Sequence, residues 1–139
     1  MILIDTGFWV ALGNRNDKFH SQAKQQLIAL KEPLITTCPV IVETSYLLLE
    51  RCNQQIQFRF LNQLTQESIQ IFQLNDVHFK RILELMIKYS DLPMDLADAS
   101  LVVLAETINE NRILTTDFRD FSIYRWQDNK EFRILFDPP

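Results

Sequence analysis

Asp5 directly follows the apolar run Ile2-Leu3-Ile4 and precedes a hydroxyl and a glycine, Thr6-Gly7. A run of strand formers with no polar face fits a strand buried on both sides, as in a parallel sheet. A carboxylate where that strand stops lies at the carboxyl edge of the sheet, where open α/β folds bind ligands. Asp117 repeats the arrangement after Arg112-Ile113-Leu114-Thr115. Asp95 and Asp98 open the most helical stretch of the chain and, three apart, are neighbours on a helix surface. Glu43 sits inside an otherwise apolar helical pattern, Val40 to Leu48, where a solvated face does not explain it.

Helices that follow strands in a parallel sheet begin at the strands' carboxyl edge, so these acids are expected to converge on one cleft. Glu43 is about one turn into its helix, but helical side chains lean toward the amino terminus. No Lys or His lies beside Asp5, Glu43, Asp95 or Asp98 in sequence. Unpaired carboxylates in a half-buried pocket repel one another and titrate high. A hard divalent cation removes that conflict, and all-oxygen ligands suit Mg²⁺, with Mn²⁺ as a substitute. Zinc fits less well, because Cys38, Cys52, His20 and His78 show no ligand spacing. Each acid read alone has a structural use. Asp5 and Asp95 are good helix caps, and Asp117 could open a turn with Arg119 and Asp120. Their shared edge argues for a site.

The elements that must hold these acids follow from the pattern. Strands are predicted at Ile2–Ile4, at Leu34-Ile35-Thr36, at 69–74 near a sheet edge, at Arg112–Thr115 and at Phe132–Phe136, before Asp137-Pro138-Pro139 stops the chain. Helices are predicted from Thr6 to Leu12 and through Phe19, Ala23, Leu27 and Leu30 up to Pro33. A largely buried third helix runs from Thr37-Cys38-Pro39 to Arg51, and a fourth covers 56–65. A fifth is capped by Asn75 or Asp76, with Phe79, Ile82, Leu83 and Met86 as its core stripe. Ser90 to Met94 is a turn, and Asp95 to Asn109 is a helix buried through Ala97, Leu101, Leu104, Ala105 and Ile108. Strands alternating with helices mean an α/β domain around a parallel sheet.

At 139 residues, with 47% hydrophobic and 23% charged residues, the chain is expected to be one globular domain, 1–139. A net charge of −4 argues against a protein that coats nucleic acid, which needs clustered Lys and Arg, but leaves room for a small basic rim. Cys38 and Cys52, about 20 Å apart along a helix, are beyond disulfide reach, and free thiols fit a reducing compartment. Asp5 interrupts the start too early for a signal peptide, and no apolar run approaches membrane-spanning length. A soluble cytoplasmic protein with no membrane contact is expected.

Ile4-Asp5-Thr6, Glu43 in the third helix, Asp95-Leu96-Ala97-Asp98-Ala99 and Thr115-Thr116-Asp117, taken in order, make the chain resemble the PIN domain family, and within it the VapC-type toxins. The resemblance spans nearly the whole chain. It implies a three-layer α/β/α sandwich with a central parallel sheet, and metal-dependent endoribonuclease activity. Carried over by position, Asp5 and Asp98 would be the principal Mg²⁺ ligands. Glu43 and Asp117 would complete the set through water or a second metal, and Thr6 and Thr115 would be supporting hydroxyls. Gly7 stands where many members carry serine, and Asp95 adds an acid beside Asp98. Asp98 takes the metal role because Ala99 and the apolar run behind it match the family frame. The resemblance further implies an RNA substrate, a cognate antitoxin and a homodimer.

Arg119, Arg15 and Lys18 are candidates to hold the RNA backbone, and Phe8, Trp9 and Phe118 flank the acids, where aromatic rings either stack bases or pack the core. Alternatives are a PIN-like module that binds RNA or protein without cleaving, and a housekeeping RNA-processing nuclease without antitoxin. Aspartyl phosphotransfer of the haloacid-dehalogenase type also begins with a strand ending in Asp, but it needs a second Asp where Gly7 stands.

Overall fold

β1, Ile2–Ile4, has no exposed residue and is the middle strand of a five-stranded parallel sheet. The computed structural model describes residues 1–136; Asp137, Pro138 and Pro139, read above as the stop after a last strand, lie outside the described residues. β2 (Leu34–Thr37) and β4 (Arg112–Leu114) pair with β1 on either side, in the registers Ile2–Leu34 and Ile4–Leu114. β3 (Ile69–Phe72) is the edge beyond β2, and β7 (Arg133–Ile134) the edge beyond β4. Helices flank the sheet to complete a three-layer α/β/α sandwich.

The helices that follow strands start where those strands stop. α1 (Thr6–Gly13) begins behind Asp5, and α3 (Cys38–Arg51) begins behind Thr37 with a proline in its first turn, where the missing N–H costs nothing. α6 (Leu96–Ile108) begins at its cap Asp95 and ends at Asn109, in the left-handed conformation at φ 56°. α2 (His20–Ala29), α4 (Gln54–Gln63) and α5 (Asp76–Lys88) complete the main set. Asn53 and Asn75 cap the last two, and the expected reading of 56–65 as a helix and 69–74 as an edge strand agrees with α4 and β3.

Three expectations are corrected. α3 is not largely buried: Val40, Thr44 and Leu48 face the core, while Val42 and Tyr46 are 63% and 62% exposed. An apolar helix covers only the stripe that a neighbour meets, and among the described residues nothing covers Val42 and Tyr46 on the other side. In α5 the buried residues are Ile82 and Leu85, while Phe79 and Leu83 are exposed. The predicted strand 132–136 shortens to β7. Ahead of it lie α7 (Phe118–Ile123) and a hairpin of β5 (Arg125–Trp126) with β6 (Lys130–Glu131), none of which the pattern announced. The hairpin turns on Gln127 and Asp128, both at positive φ.

Candidate active site

Asp5 is 5% exposed at the end of β1, and its position is over-determined. One carboxylate oxygen accepts from the Thr6 N–H at 2.7 Å and the other from the Thr115 hydroxyl at 2.8 Å. That hydroxyl in turn accepts from the Asp117 N–H at 3.0 Å, so the ends of β1 and β4 are tied through one threonine. Burial pushes Asp5 up to about 7 against the pull of these donors, and the charges of Glu43 and Asp117 add to the rise.

Asp98, in the first turn of α6, is pushed up to about 8 by burial and by the charges of Asp5 and Asp95. Its Oδ2 accepts from the Tyr124 hydroxyl at 2.8 Å. Asp117 caps α7, accepting from the Asp120 N–H at 3.0 Å. Burial raises it, and the charge of Asp120 adds to this. Carboxylate oxygens of Asp98, Asp117 and Asp120 lie within 4.8 Å of one another. Glu43 is raised by burial and by the charge of Asp95, and the two line one cavity. Asp95 itself accepts from the Asp98 N–H at 2.8 Å and is the helix cap anticipated for it.

The structure thus brings Asp5, Asp98 and Asp117 into mutual electrostatic contact, with Glu43 reaching Asp5 from α3. The Thr6 hydroxyl is buried near Glu43 without a hydrogen bond of ordinary geometry. Gly7 has a role of its own. A Cβ there would meet the Thr116 hydroxyl oxygen at 2.1 Å, so only glycine lets that threonine close over the start of α1.

The candidate RNA-holding cations divide. Arg119 is exposed on α7 beside Asp120, and Lys18 lies over the Phe19 ring at 4.9 Å, with Phe19 packed on Phe118. Arg15 instead lines a cavity toward the carboxyl end of α1. Phe8 and Trp9 are buried and pack edge-on against Phe136 and Phe60, so they belong to the core.

Sequence reasoning missed two participants. Asp120, a turn partner of Asp117 in the sequence, completes the carboxylate group of Asp98 and Asp117. Its three-residue spacing from Asp117 repeats that of Asp95 and Asp98, and this was the available signal. Tyr124 carries no local signal at all, since it reaches Asp98 across the fold.

The donor set fits a hard divalent cation. It is all oxygen, it is crowded, and among the described residues no Lys, Arg or His forms an ion pair with Asp5, Glu43, Asp95, Asp98, Asp117 or Asp120. The ion pairs serve Glu84, Glu106, Asp128, Glu32, Glu110 and Glu131 instead. Among the described residues no helix is long and apolar enough to cross a membrane.

The chain is similar to known proteins in sequence and in fold. The chain is 25% identical over 134 residues to ribonuclease VapC26 of Mycobacterium tuberculosis, covering 96% of this chain and 99% of that one. It is 46% identical over 56 residues to the 23S rRNA-specific endonuclease VapC20 of the same organism, 40% of this chain and 42% of the other. The crystal structure of M. tuberculosis VapC20, a toxin that cleaves the sarcin-ricin loop, superposes with a TM-score of 0.81 at 20% identity, covering 86% of this chain and 92% of that one. A toxin–antitoxin complex from Klebsiella pneumoniae follows with a TM-score of 0.62 at 19% identity, over 88% and 91% of the two chains. The family model of the PIN domain matches residues 2–126, and the chain belongs to the PIN domain family.

Proposed function

We propose that this chain is a Mg²⁺-dependent endoribonuclease, the toxin of a type II toxin–antitoxin pair. The observation that carries the reading is the gathering of Asp5, Asp98 and Asp117 at one sheet edge with no Lys, Arg or His paired to them among the described residues. Asp5 and Asp98 are the ligands, with Asp117 and Glu43 completing the shell directly, through water or at a second ion. Asp120 joins them on the Asp117 side. Mn²⁺ suits the same oxygens. When bound, the cation supplies an acidified water for in-line attack on a phosphodiester and offsets charge on the phosphoryl oxygens. The chain's own part is to hold the carboxylates still: Thr115 and Thr6 fix Asp5, and Tyr124 fixes Asp98. Cleavage leaves 5′-phosphate and 3′-hydroxyl ends.

The toxin assignment is supported by the VapC relatives and by the toxin–antitoxin complex of like fold. Residues 1–139 are read as one nuclease domain, which the pairing of β7 with β4 supports, since it ties the end of the described chain to the sheet. A homodimer through α3 and α5 is part of the reading. Val42, Tyr46, Phe79, Leu83 and Ile87 leave apolar surface exposed there, beside the cavity that holds Glu43 and Asp95. Light scattering of the purified chain tests the dimer, co-purification with the product of an adjacent reading frame tests the antitoxin, and cleavage of defined RNAs with and without Mg²⁺ tests the activity.

A further inference from the structure

Away from the acids, a cavity of about 280 Å³ opens between α1, α2, α3 and α4. Its wall carries Arg15, Lys24, Arg59 and His20 and no carboxylate. The cavity beside Glu43 and Asp95, and the one under the end of α2, hold no Lys, Arg or His. In a chain of net charge −4 this concentration of positive charge is local and specific. Among the described residues Arg15, Lys24 and Arg59 form no ion pair with any carboxylate. His20 is pinned by its Nδ1, which donates to the Ala11 carbonyl at 2.7 Å, so Nε2 is the ring nitrogen left without that bond. Trp9 lies in the same wall, buried, with an indole N–H that has no partner among the described residues.

We infer that this cavity is a phosphate-binding subsite that anchors the RNA strand at a distance from the cleavage centre. The inference rests on the nuclease reading above. The carboxylates gathered at the centre outnumber the two charges of one bound divalent cation, so further cations on the chain add attraction for the phosphate backbone. The cavity lies toward the carboxyl end of α1, whose amino end follows Asp5; eight residues of helix place the two about 12 Å apart along its axis. Guanidinium groups at Arg15 and Arg59 suit bidentate contact with phosphoryl oxygens, and Lys24 adds a point charge.

The test uses full-length protein and fluorescein-labelled single-stranded RNA, in EDTA for binding and in Mg²⁺ for cleavage. The triple variant Arg15→Gln/Lys24→Gln/Arg59→Gln is compared with Lys31→Gln/Lys80→Gln/Arg133→Gln, which removes equal charge from exposed positions outside the cavity. The cavity variant is expected to bind RNA about ten-fold more weakly with a flatter salt dependence, and to raise KM more than it lowers kcat. The control variant stays within about two-fold of wild type. Inorganic phosphate and AMP should compete with RNA at the wild-type protein and lose that effect in the cavity variant. Equal losses in both variants, or none, overturn the subsite while wild-type cleavage keeps the nuclease reading intact. A wild type that neither binds nor cuts RNA removes both. Binding of an acidic peptide that depends on the three cations, with RNA binding unaffected, overturns the RNA assignment in favour of a protein partner.

Discussion

The Tyr124 hydroxyl donates to Asp98 Oδ2 at 2.8 Å, joining the residue before the β5–β6 hairpin to the first turn of α6. Tyr124 is wholly buried, wedged edge-on against Tyr89 and Phe121. Its own pKa is raised by burial and by the Asp98 charge, so it stays a donor. The bond occupies one carboxylate oxygen, while the other accepts no hydrogen bond among the described residues. If Asp98 ligates the cation as proposed, Tyr124→Phe should keep the fold but lower Mn²⁺ affinity by about ten-fold, as removal of a hydrogen bond behind a metal ligand does. Calorimetric titration with Mn²⁺ checks this, and unchanged affinity would show that the tyrosine only packs.

Without metal, Asp5 and Asp98 are pushed up from 3.8 to about 7 and about 8. A raised carboxylate binds its proton more tightly in the folded chain than in the unfolded one. Stability should therefore fall as pH rises from about 4 to about 8, the reverse of a salt-bridged aspartate. Asp98→Asn removes one group that must ionise inside the fold. The variant should melt a few degrees above wild type at pH 8 in EDTA, about 4 °C per kcal/mol relieved, and come level with it only as pH falls to about 4. Saturating Mg²⁺ should invert the order at pH 8. Calorimetric melting at both pH values decides it; a variant no more stable than wild type at pH 8 in EDTA contradicts the burial argument.

The acids three residues away from Asp98 and Asp117 should behave differently. Asp95 is a cap, and asparagine caps as well, so Asp95→Asn should change stability by less than about 0.5 kcal/mol, whereas Asp95→Ala should cost about 1 kcal/mol. Asp120 caps nothing, and its carboxylate joins Asp98 and Asp117. Asp120→Asn should therefore weaken Mn²⁺ binding while leaving the urea midpoint at or above wild type.

Gly7 and Thr116 should prove coupled. Gly7→Ala drives a methyl group into the Thr116 hydroxyl, 2.1 Å from its ideal position, and should cost about 1–2 kcal/mol. Thr116→Ala should recover most of that loss, as a double-mutant cycle by urea unfolding will show. Additive costs would mean the clash is relieved elsewhere.

How far the sequence speaks depends on whether a feature is local. Asp5, Asp98 and Asp117 were readable because a strand that stops at a carboxylate, or a helix that opens on one, is written in a few adjacent residues. Asp120 needed α7, a six-residue helix too short to leave a periodic signature. Tyr124 meets Asp98 across 26 residues, a tertiary fact with no local mark. The errors on α3 and α5 share one cause: Tyr46 and Leu83 are apolar at helical spacing, and only the assembled fold reveals that they stay exposed among the described residues.

Most directly, wild type and Asp98→Asn, purified identically, are compared for RNA cleavage in Mg²⁺, in EDTA, and in EDTA followed by excess Mg²⁺. Cleavage by the wild type that stops in EDTA, returns with Mg²⁺ and falls by about a hundred-fold or more in the variant is the predicted result. Cleavage that persists in EDTA, or equal activity in the two proteins, would contradict a metal-loaded carboxylate centre.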